Sequence, residues 1–224
     1  MAKSLSHKPC DLVLFGTKGD LARRKLIPSL YQLERAELLA EQTKIVGVAR
    51  DKHDLKGYKK IVSDSLKEFL KEPVDKDIEK RFLARLEYCQ VDMTVKDDFK
   101  SIAKVVDLDQ RTMVNYFSTP PSVFGAICEG LSFAGLVNHE TRVVVEKPIG
   151  HCLESSKVIN DKIAEHFKEE QIYRIDHYLG KETVLNLLVL RFANAIFTNN
   201  WDHECIDHVQ ISVAESVGVE GRWG

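Results

Sequence analysis

The sequence predicts an α/β fold in which helices cover a parallel β-sheet. Short apolar runs with strand-like composition alternate with longer amphipathic segments as far as about residue 174. A glycine-containing turn follows the first apolar run, where a strand-turn-helix unit that binds phosphate would carry its glycines. Parallel strands need crossover connections, which are usually helices, so we expect a doubly wound sheet.

The composition indicates a globular protein and argues against several classes of partner. The 224 residues are 44% hydrophobic and 29% charged, with a formal net charge of -2. Because there is no basic surplus, we expect no nucleic acid or anionic membrane as a partner. No apolar run approaches the roughly 20 residues of a membrane span, and residues 1–10 contain no apolar signal core.

The cysteine pattern favours free thiols. The chain has 5 cysteines, an odd number, and no two of them have C-x-x-C spacing. This argues against a disulfide framework or a zinc site, so we expect no metal and a cytoplasmic location.

The first predicted strand, residues 11–15, leads into a turn and a helix with one apolar face. Gly16 permits the tight turn, Gly19 lets the backbone approach a pyrophosphate, and the small Ala22 lets the helix pack close to the strand. The spacing is G-x-x-G-x-x-A instead of the usual G-x-G-x-x-G. A glycine-containing connection without a ligand therefore remains an alternative.

The second predicted strand, residues 44–49, places Arg50 at its carboxyl end. An acidic residue there would bind the ribose 2′-hydroxyl of NAD, whereas an arginine favours the 2′-phosphate of NADP. Asp51 could take the acidic role, but we expect it to be solvated. The alternative for Arg50 is an ordinary surface charge at the end of a strand.

Residues 52–85 have a charged helical pattern with a break at Pro73 and no evident chemistry. Residues 86–91 predict the third strand. Asp92 follows this strand, and from its position alone it could cap the next helix.

Two more buried strands are predicted at residues 112–117 and 142–145. The first leads into the stiff loop Ser118-Thr119-Pro120-Pro121, which could support a nicotinamide ring or could be a structural turn. The second delivers Glu146-Lys147-Pro148 to the carboxyl edge of the sheet, where open α/β folds bind ligands. We expect Lys147 to point into this crevice, with a solvated lysine as the alternative, and the Lys147-Pro148 bond is a candidate cis peptide.

Residues 173–182, with the sequence Y-R-I-D-H-Y-L-G-K-E, join a predicted strand (171–174) to a predicted helix (184–192). If the helix begins near His177, the spacing of His177 and Lys181 puts both on one face, with Tyr178 alongside. All three side chains could then donate to one phosphate. In the alternative, Asp176 caps the helix and the other residues are solvated.

Residues 209–214 alternate between apolar and polar side chains in the manner of a strand with one buried face, and Glu215 follows them. We therefore expect a second, sheet-rich domain to begin in this region. The predicted domain ranges are 1–176 and 177–224.

The stretch 173–182 resembles the active-site signature of the glucose-6-phosphate dehydrogenase family, and further motifs of that family recur in the same order. They are Gly16-Thr17-Lys18-Gly19-Asp20-Leu21-Ala22, Gly47-Val48-Ala49-Arg50, Thr119-Pro120-Pro121-Ser122, Glu146-Lys147-Pro148-Ile149-Gly150 and Val213-Ala214-Glu215. The resemblance covers essentially the whole chain. Because the family continues for about as many residues again, the chain is expected to be an amino-terminal part.

The resemblance implies a Rossmann-type domain that binds NADP, followed by the start of an α+β substrate and dimerisation domain with a large, mainly antiparallel sheet. It implies oxidation of D-glucose 6-phosphate to 6-phospho-D-glucono-1,5-lactone by hydride transfer from C1 to NADP, the first step of the pentose phosphate pathway. The full-length protein would be a homodimer or homotetramer. The alternatives are a non-catalytic NADP-binding module and another NADP-dependent sugar oxidoreductase.

The resemblance also assigns site residues. Those for the coenzyme are Gly16, Thr17, Lys18, Gly19, Asp20, Leu21, Arg50, Asp92, Met93 and Lys147, with Lys25 facing the place where coenzyme and substrate meet. Those for the sugar phosphate are Lys147, His177, Tyr178, Lys181 and Glu215. Asp176 would orient a catalytic histidine that the family places beyond residue 224, so we expect this chain alone to be inactive.

Overall fold

The computed structural model describes residues 8–176 and 178–212. The predicted site residues His177 and Glu215 lie outside the described residues, as does the end of the predicted strand at 213–214. The chain divides into two compact units, the first ending at Ile175 and the second beginning at Asp176.

The first unit is built on a parallel sheet. Its strands are β1 Cys10–Phe15, β2 Lys44–Ala49, β3 Leu86–Gln90, β4 Thr112–Phe117, β5 Arg142–Glu146 and β6 Ile172–Ile175. They lie in the order β3-β2-β1-β4-β5-β6, and every neighbouring pair is parallel. The prediction of a doubly wound, Rossmann-like α/β sheet is confirmed. The strand order reverses between β1 and β4, which is where such sheets open a crevice at their carboxyl ends.

Helices connect the strands. A π-helical turn, Ala22–Leu26, runs directly into α1 Ile27–Arg35, and the later helices of the first unit are α2 Leu55–Phe69, α3 Lys76–Ala84, α4 Lys100–Ala103, α5 Phe124–Phe133 and α6 Leu153–Ala164. Short 3₁₀ turns occupy Lys96–Phe99, Pro121–Val123 and Glu169–Gln171. Within the described ranges, no helix is long and apolar enough to cross a bilayer.

The sheet separates two apolar cores. Val13 and Phe15 of β1 belong to a core that also contains buried side chains from α4, α5 and α6. Leu14, between them, belongs to the core formed with α1, α2 and α3. Successive side chains of a strand point to opposite faces, so β1 contributes to both layers. This double burial explains why its sequence is a continuous apolar run and not an alternating one.

The charged region 52–85 folds as its pattern predicts, with a helix on each side of Pro73. Asp54 begins α2, because its Oδ1 accepts a hydrogen bond of 2.7 Å from the main-chain N–H of Gly57. Asp75 begins α3 in the same way by accepting from the N–H groups of Asp77 and Ile78 at 2.9 and 3.0 Å. Both aspartates satisfy helix donors that would otherwise lack partners.

The second unit contains α7 Glu182–Phe192 and α8 Ala195–Thr198, neither of which buries a residue. The predicted strand at 209–214 is not formed over residues 209–212, and the described residues after Ile175 contain no strand. The predicted antiparallel sheet is therefore not seen there. A strand is stabilised by hydrogen bonds to a neighbour, and this part of the described chain provides no neighbouring strand.

Gly47 in β2 lies against the ring of Tyr58 from α2. A Cβ atom at position 47 would overlap the ring carbons and the hydroxyl of Tyr58. Tyr58 is fully buried, so its ring has little room to move away. The glycine therefore lets α2 pack directly on the sheet behind the crevice.

We predict that Gly47→Ala lowers the free energy of unfolding by about 1–3 kcal/mol, because overpacking a filled core forces side chains or backbone to shift. Urea denaturation followed by circular dichroism measures this change.

Gly125→Ala is the matched control. A Cβ at position 125, within α5, would meet only the flexible side chain of Lys162. Alanine favours a helix interior over glycine, so this variant should be neutral or more stable by up to about 1 kcal/mol. Equal stability of the Gly47→Ala variant and the unchanged protein would contradict the packing argument.

Candidate functional site

A cleft of about 360 Å³ opens at the carboxyl edge of the sheet. Its walls come from the segments that follow β1, β2, β3 and β4. They include the predicted residues Gly16, Lys18, Gly19, Arg50, Asp92 and Met93. Parallel strands present their carboxyl ends at one edge, so residues far apart in the chain meet here.

The turn after β1 needs glycine for two reasons. Gly16 has φ +80°, and a Cβ there would lie 2.5 Å from the carbonyl oxygen of Ser118. Its N–H donates to the carbonyl of Val48 at 3.0 Å, and its own carbonyl accepts from Gly19 at 2.8 Å. The turn then leads into the π-helical segment, and main-chain N–H groups at the start of a helix favour an anion.

Thr17 is directed into the core. Its side chain is fully buried, and its Oγ1 shares a hydrogen bond of 2.7 Å with the hydroxyl of Tyr58. Burial raises the pKa of Tyr58 to about 12. Any contact between Thr17 and a coenzyme would therefore be made by its main chain. The sequence contains no local signal for this pair, because the partners are 41 residues apart.

Arg50 is exposed at the end of β2 and lines the cleft, and the Gln90 amide donates to its carbonyl at 3.1 Å. Asp51 is not simply solvated, as the sequence suggested. Its Oδ2 lies 2.9 Å from Lys18 Nζ, while 61% of its side chain is exposed. The hydrogen bond from Lys18 holds the pKa of Asp51 below its usual value. Lys18 thus lines the cleft already paired with a carboxylate.

Asp92 forms a local turn after β3. Its Oδ1 accepts from the N–H and the hydroxyl of Thr94 at 3.0 and 2.7 Å, and its own N–H donates to Asp98 at 2.8 Å. The bonds from Thr94 lower the pKa of Asp92, and the charge of Arg50 lowers it further. The next helical turn has Val95 at its N-cap, so Asp92 does not cap it.

A smaller pocket of about 230 Å³ lies at the ends of β4 and β5, with Leu21, Lys147 and Pro148 in its lining. Lys147 is exposed, and the Lys147-Pro148 bond is cis. The Tyr116 hydroxyl donates to Glu146 Oε1. Burial and then this bond raise the pKa of Tyr116.

Thr119 connects the two cavities, since it lines both of them. Its Oγ1 is buried and has no hydrogen-bond partner within residues 8–176 and 178–212. A buried hydroxyl without a partner is unfavourable, so this atom is a candidate contact for a ligand.

Two other residues assigned to the coenzyme side, Asp20 and Lys25, are not in the lining of the cleft. Asp20 is exposed, forms an ion pair of 2.7 Å with Arg24, and is not in the lining of the cleft. Lys25 is exposed in the π-helical turn.

The helix predicted at 184–192 is α7, which begins at Glu182. The condition for a common helical face of His177 and Lys181, a helix start near His177, is therefore not met. Asp176 Oδ1 accepts from the N–H of Tyr178 at 3.0 Å, which stabilises a turn, and Gly180 favours a non-helical backbone.

The described part of the predicted phosphate site keeps two of its donors together. Lys181 Nζ lies 4.2 Å from the centre of the Tyr178 ring. Both side chains are exposed, as a site for a soluble phosphate requires.

The chain matches two family models. The model described as glucose-6-phosphate dehydrogenase, NAD binding domain, matches residues 13–186, and the C-terminal domain model of the same family matches residues 188–224. A glucose-6-phosphate 1-dehydrogenase of Dickeya dadantii (strain 3937) is 56% identical over 224 residues, which are 100% of this chain and 46% of that protein. The chain thus spans less than half the length of this relative.

Two solved structures are similar over most of the chain. Glucose-6-phosphate 1-dehydrogenase from Mycobacterium avium has a TM-score of 0.81 and 37% identity, covering 88% of this chain and 42% of its own. A glucose-6-phosphate dehydrogenase in complex with its substrate glucose-6-phosphate has a TM-score of 0.77 and 32% identity, covering 89% and 43%.

We predict that Tyr58→Phe destabilises the protein at pH 7 by about 1–3 kcal/mol, because the buried Thr17 hydroxyl loses its partner. The difference from the unchanged protein should shrink as the pH rises. An unfolded tyrosine titrates near pH 10, and Tyr58 in the folded protein titrates near 12. The contribution of Tyr58 is therefore complete below about pH 10 and is lost between about pH 10 and pH 12.

Urea denaturation at a series of pH values measures both effects. Tyr173→Phe is the control, since this ring is 52% exposed and should change stability little. A Tyr58→Phe penalty that stays constant up to pH 12 would contradict the assignment.

Proposed function

The chain belongs to the glucose-6-phosphate dehydrogenase family, and we propose that it forms the NADP-binding part of an enzyme that oxidises D-glucose 6-phosphate to 6-phospho-D-glucono-1,5-lactone. The observation that carries this proposal is the cleft at the reversal of strand order, lined by the glycine turn and by Arg50. A sugar phosphate is supported as the substrate by a similar solved structure, which is described as a complex with glucose-6-phosphate.

The cleft residues fit a dinucleotide. The glycine turn after β1 lines the cleft, and a helix follows it directly. This arrangement suits a pyrophosphate, which binds main-chain N–H groups at a helix start. The buried hydroxyl of Thr119 lacks a partner in the described ranges and would gain one from a ligand. When bound, NADP would supply the acceptor for the hydride that leaves C1.

Arg50 and Lys18 are the proposed ligands of the 2′-phosphate. Both line the cleft, and Arg50 stands at the end of β2, where an acidic residue would favour NAD. Guanidinium and phosphate form paired, charge-assisted hydrogen bonds. Asp92 and Met93, across the cleft at the end of β3, are the proposed contacts on the adenosine side.

Lys147 is the proposed link between coenzyme and sugar. It is exposed in the smaller pocket, next to the loop that carries Thr119. An ammonium group has three donors, so it can serve a sugar hydroxyl and a coenzyme amide at once. The bond from Tyr116 holds the neighbouring Glu146 carboxylate in place.

In the second unit, His177, Tyr178 and Lys181 are proposed to bind the phosphate of the sugar, and Glu215 to accept from its hydroxyls. Asp176 is proposed to orient the catalytic histidine, which would take the proton of the C1 hydroxyl. The turn at Asp176 is consistent with this role, because one carboxylate oxygen accepts from the N–H of Tyr178 and a carboxylate accepts several bonds.

The domain arrangement follows the same family pattern. We propose a boundary at 176/177 and a strand at 209–214 that joins an antiparallel sheet of the substrate and dimerisation domain. The division of the chain into compact units between Ile175 and Asp176 supports this boundary, and the match of the C-terminal family model to residues 188–224 supports a second domain. All 5 cysteines are free, which supports a reducing, cytoplasmic location. A homodimer or homotetramer is proposed for the full-length protein.

We predict that the chain binds NADP more tightly than NAD, and that Arg50→Ala removes most of this preference. A charge-assisted contact of Arg50 with the 2′-phosphate contributes about 1.5–3 kcal/mol, or about one to two decades in affinity. Fluorescence titration of both coenzymes measures the two dissociation constants.

Lys56→Ala is the matched control, because it removes an exposed positive charge on α2 outside the cleft lining. It should leave the ratio of the two dissociation constants nearly unchanged. An unchanged ratio in Arg50→Ala would show that Arg50 does not contact the 2′-phosphate.

We predict that Lys181→Ala, in the full-length protein, weakens binding of glucose 6-phosphate by about tenfold or more and changes glucose binding little. Only the phosphorylated sugar presents the anion that Lys181 would bind. Calorimetric titration with each sugar distinguishes the two effects.

Lys157→Ala, which removes an exposed charge on α6, controls for the loss of net charge. Equal losses for both sugars in Lys181→Ala would contradict the assignment of Lys181 as a phosphate ligand.

A further inference from the structure

Lys18 is paired within the part of the cleft that we assign to the 2′-phosphate. Its Nζ lies 2.9 Å from Asp51 Oδ2 and 3.1 Å from His53 Nε2. Lys18, Arg50 and Asp51 all line the cleft. One of the two cations proposed to hold the 2′-phosphate is therefore already neutralised by a carboxylate of the protein.

The position of Asp51 is set by β3 as well as by Lys18. The Tyr88 hydroxyl donates to the main-chain carbonyl of Asp51. The ring of His53 packs edge-on against Tyr88, with 6.0 Å between the ring centres. Gln90 holds the carbonyl of Arg50 at 3.1 Å. The β3 residues Tyr88 and Gln90 thus fix the main chain of Arg50 and Asp51, and Asp51 lies in the lining of the cleft.

The Asp51 carboxylate has capacity for a second partner. Its side chain is 61% exposed, and a carboxylate offers about four acceptor positions, of which Lys18 uses one. A ribose 2′-hydroxyl could donate to it. A 2′-phosphate could not, and its negative charge would be repelled at short range.

We propose that Asp51 is a coenzyme-specificity residue that competes with the 2′-phosphate for Lys18 and so narrows the preference for NADP over NAD. This inference rests on the proposed function. With NADP, Lys18 leaves Asp51 or divides its hydrogen bonds between two anions. With NAD, the ion pair persists and Asp51 accepts from the 2′-hydroxyl. Arg50 still makes the affinity for NADP higher than the affinity for NAD, and Asp51 reduces the difference between the two.

The competition is effective because the ion pair is partly open to solvent, with 29% of the Lys18 side chain and 61% of the Asp51 side chain exposed. Exposed ion pairs contribute little to stability, so Lys18 can exchange one anion for another at small expense. The expected change on removing the Asp51 charge is correspondingly moderate, about three- to tenfold in the affinity for a 2′-phosphate.

The test uses 2′,5′-ADP and 5′-AMP, which represent the adenosine ends of NADP and NAD. Calorimetry with the 224-residue chain gives both dissociation constants for the unchanged protein and for Asp51→Asn. We expect Asp51→Asn to bind 2′,5′-ADP about three- to tenfold more tightly and 5′-AMP no more tightly. Asp64→Asn is the control, because Asp64 is an exposed, lysine-paired aspartate of α2 outside the cleft lining.

A second variant tests the route through Lys18. In a Lys18→Met background, Asp51→Asn should raise the affinity for 2′,5′-ADP by less than half as much as it does alone. An equal gain in both backgrounds would overturn the competition. The competition would also be overturned if the protein without substitutions prefers 2′,5′-ADP and Asp51→Asn has the same ratio of affinities for 2′,5′-ADP and 5′-AMP. Failure of the unchanged protein to bind either nucleotide would contradict the proposed function itself, and the inference with it.

Discussion

The close approach of two turns at Gly16 is the constraint on which the cleft depends. The turn after β1 passes so near to the turn after β4 that a Cβ would lie 2.5 Å from the Ser118 carbonyl. The Gly16 N–H is bonded to Val48, at the end of β2. Three strand ends are thus joined through one residue without a side chain. A larger residue would separate these turns and change the shape of the cleft walls that they form.

Most of the first unit could be predicted from the sequence because its signals are local. Buried parallel strands such as β1 and β2 are largely continuous apolar runs, and all six strands of the first unit were predicted to within one residue at each end. Asp54 and Asp75 mark helix starts by bonding to the next few residues. Asp176 forms such a local bond too, but within a turn that precedes α7, and the sequence did not distinguish this turn from a helix cap.

The parts of the site that the sequence did not reveal are contacts between distant residues. Thr17 meets Tyr58, Tyr116 meets Glu146 and Lys18 meets Asp51 only after the sheet has assembled. A pattern of apolar and polar residues shows which face is buried, but it does not show which side chain lies opposite. The predicted strand at 209–214 is not formed over residues 209–212 for a related reason, since a strand depends on a neighbour that its own sequence does not specify.

The two cores on either side of the sheet support different turns of the cleft. Tyr58 belongs to one core and supports the turn after β1, whereas Phe117 and Phe124 of the other core flank the turn that carries Thr119. A dinucleotide in the cleft would touch both turns. Its binding free energy would then be shared by the two layers, because neither could open without releasing the ligand. Coenzyme would thus act as a cross-link between the two layers of the domain, in addition to the sheet and the contact between Gly16 and Ser118.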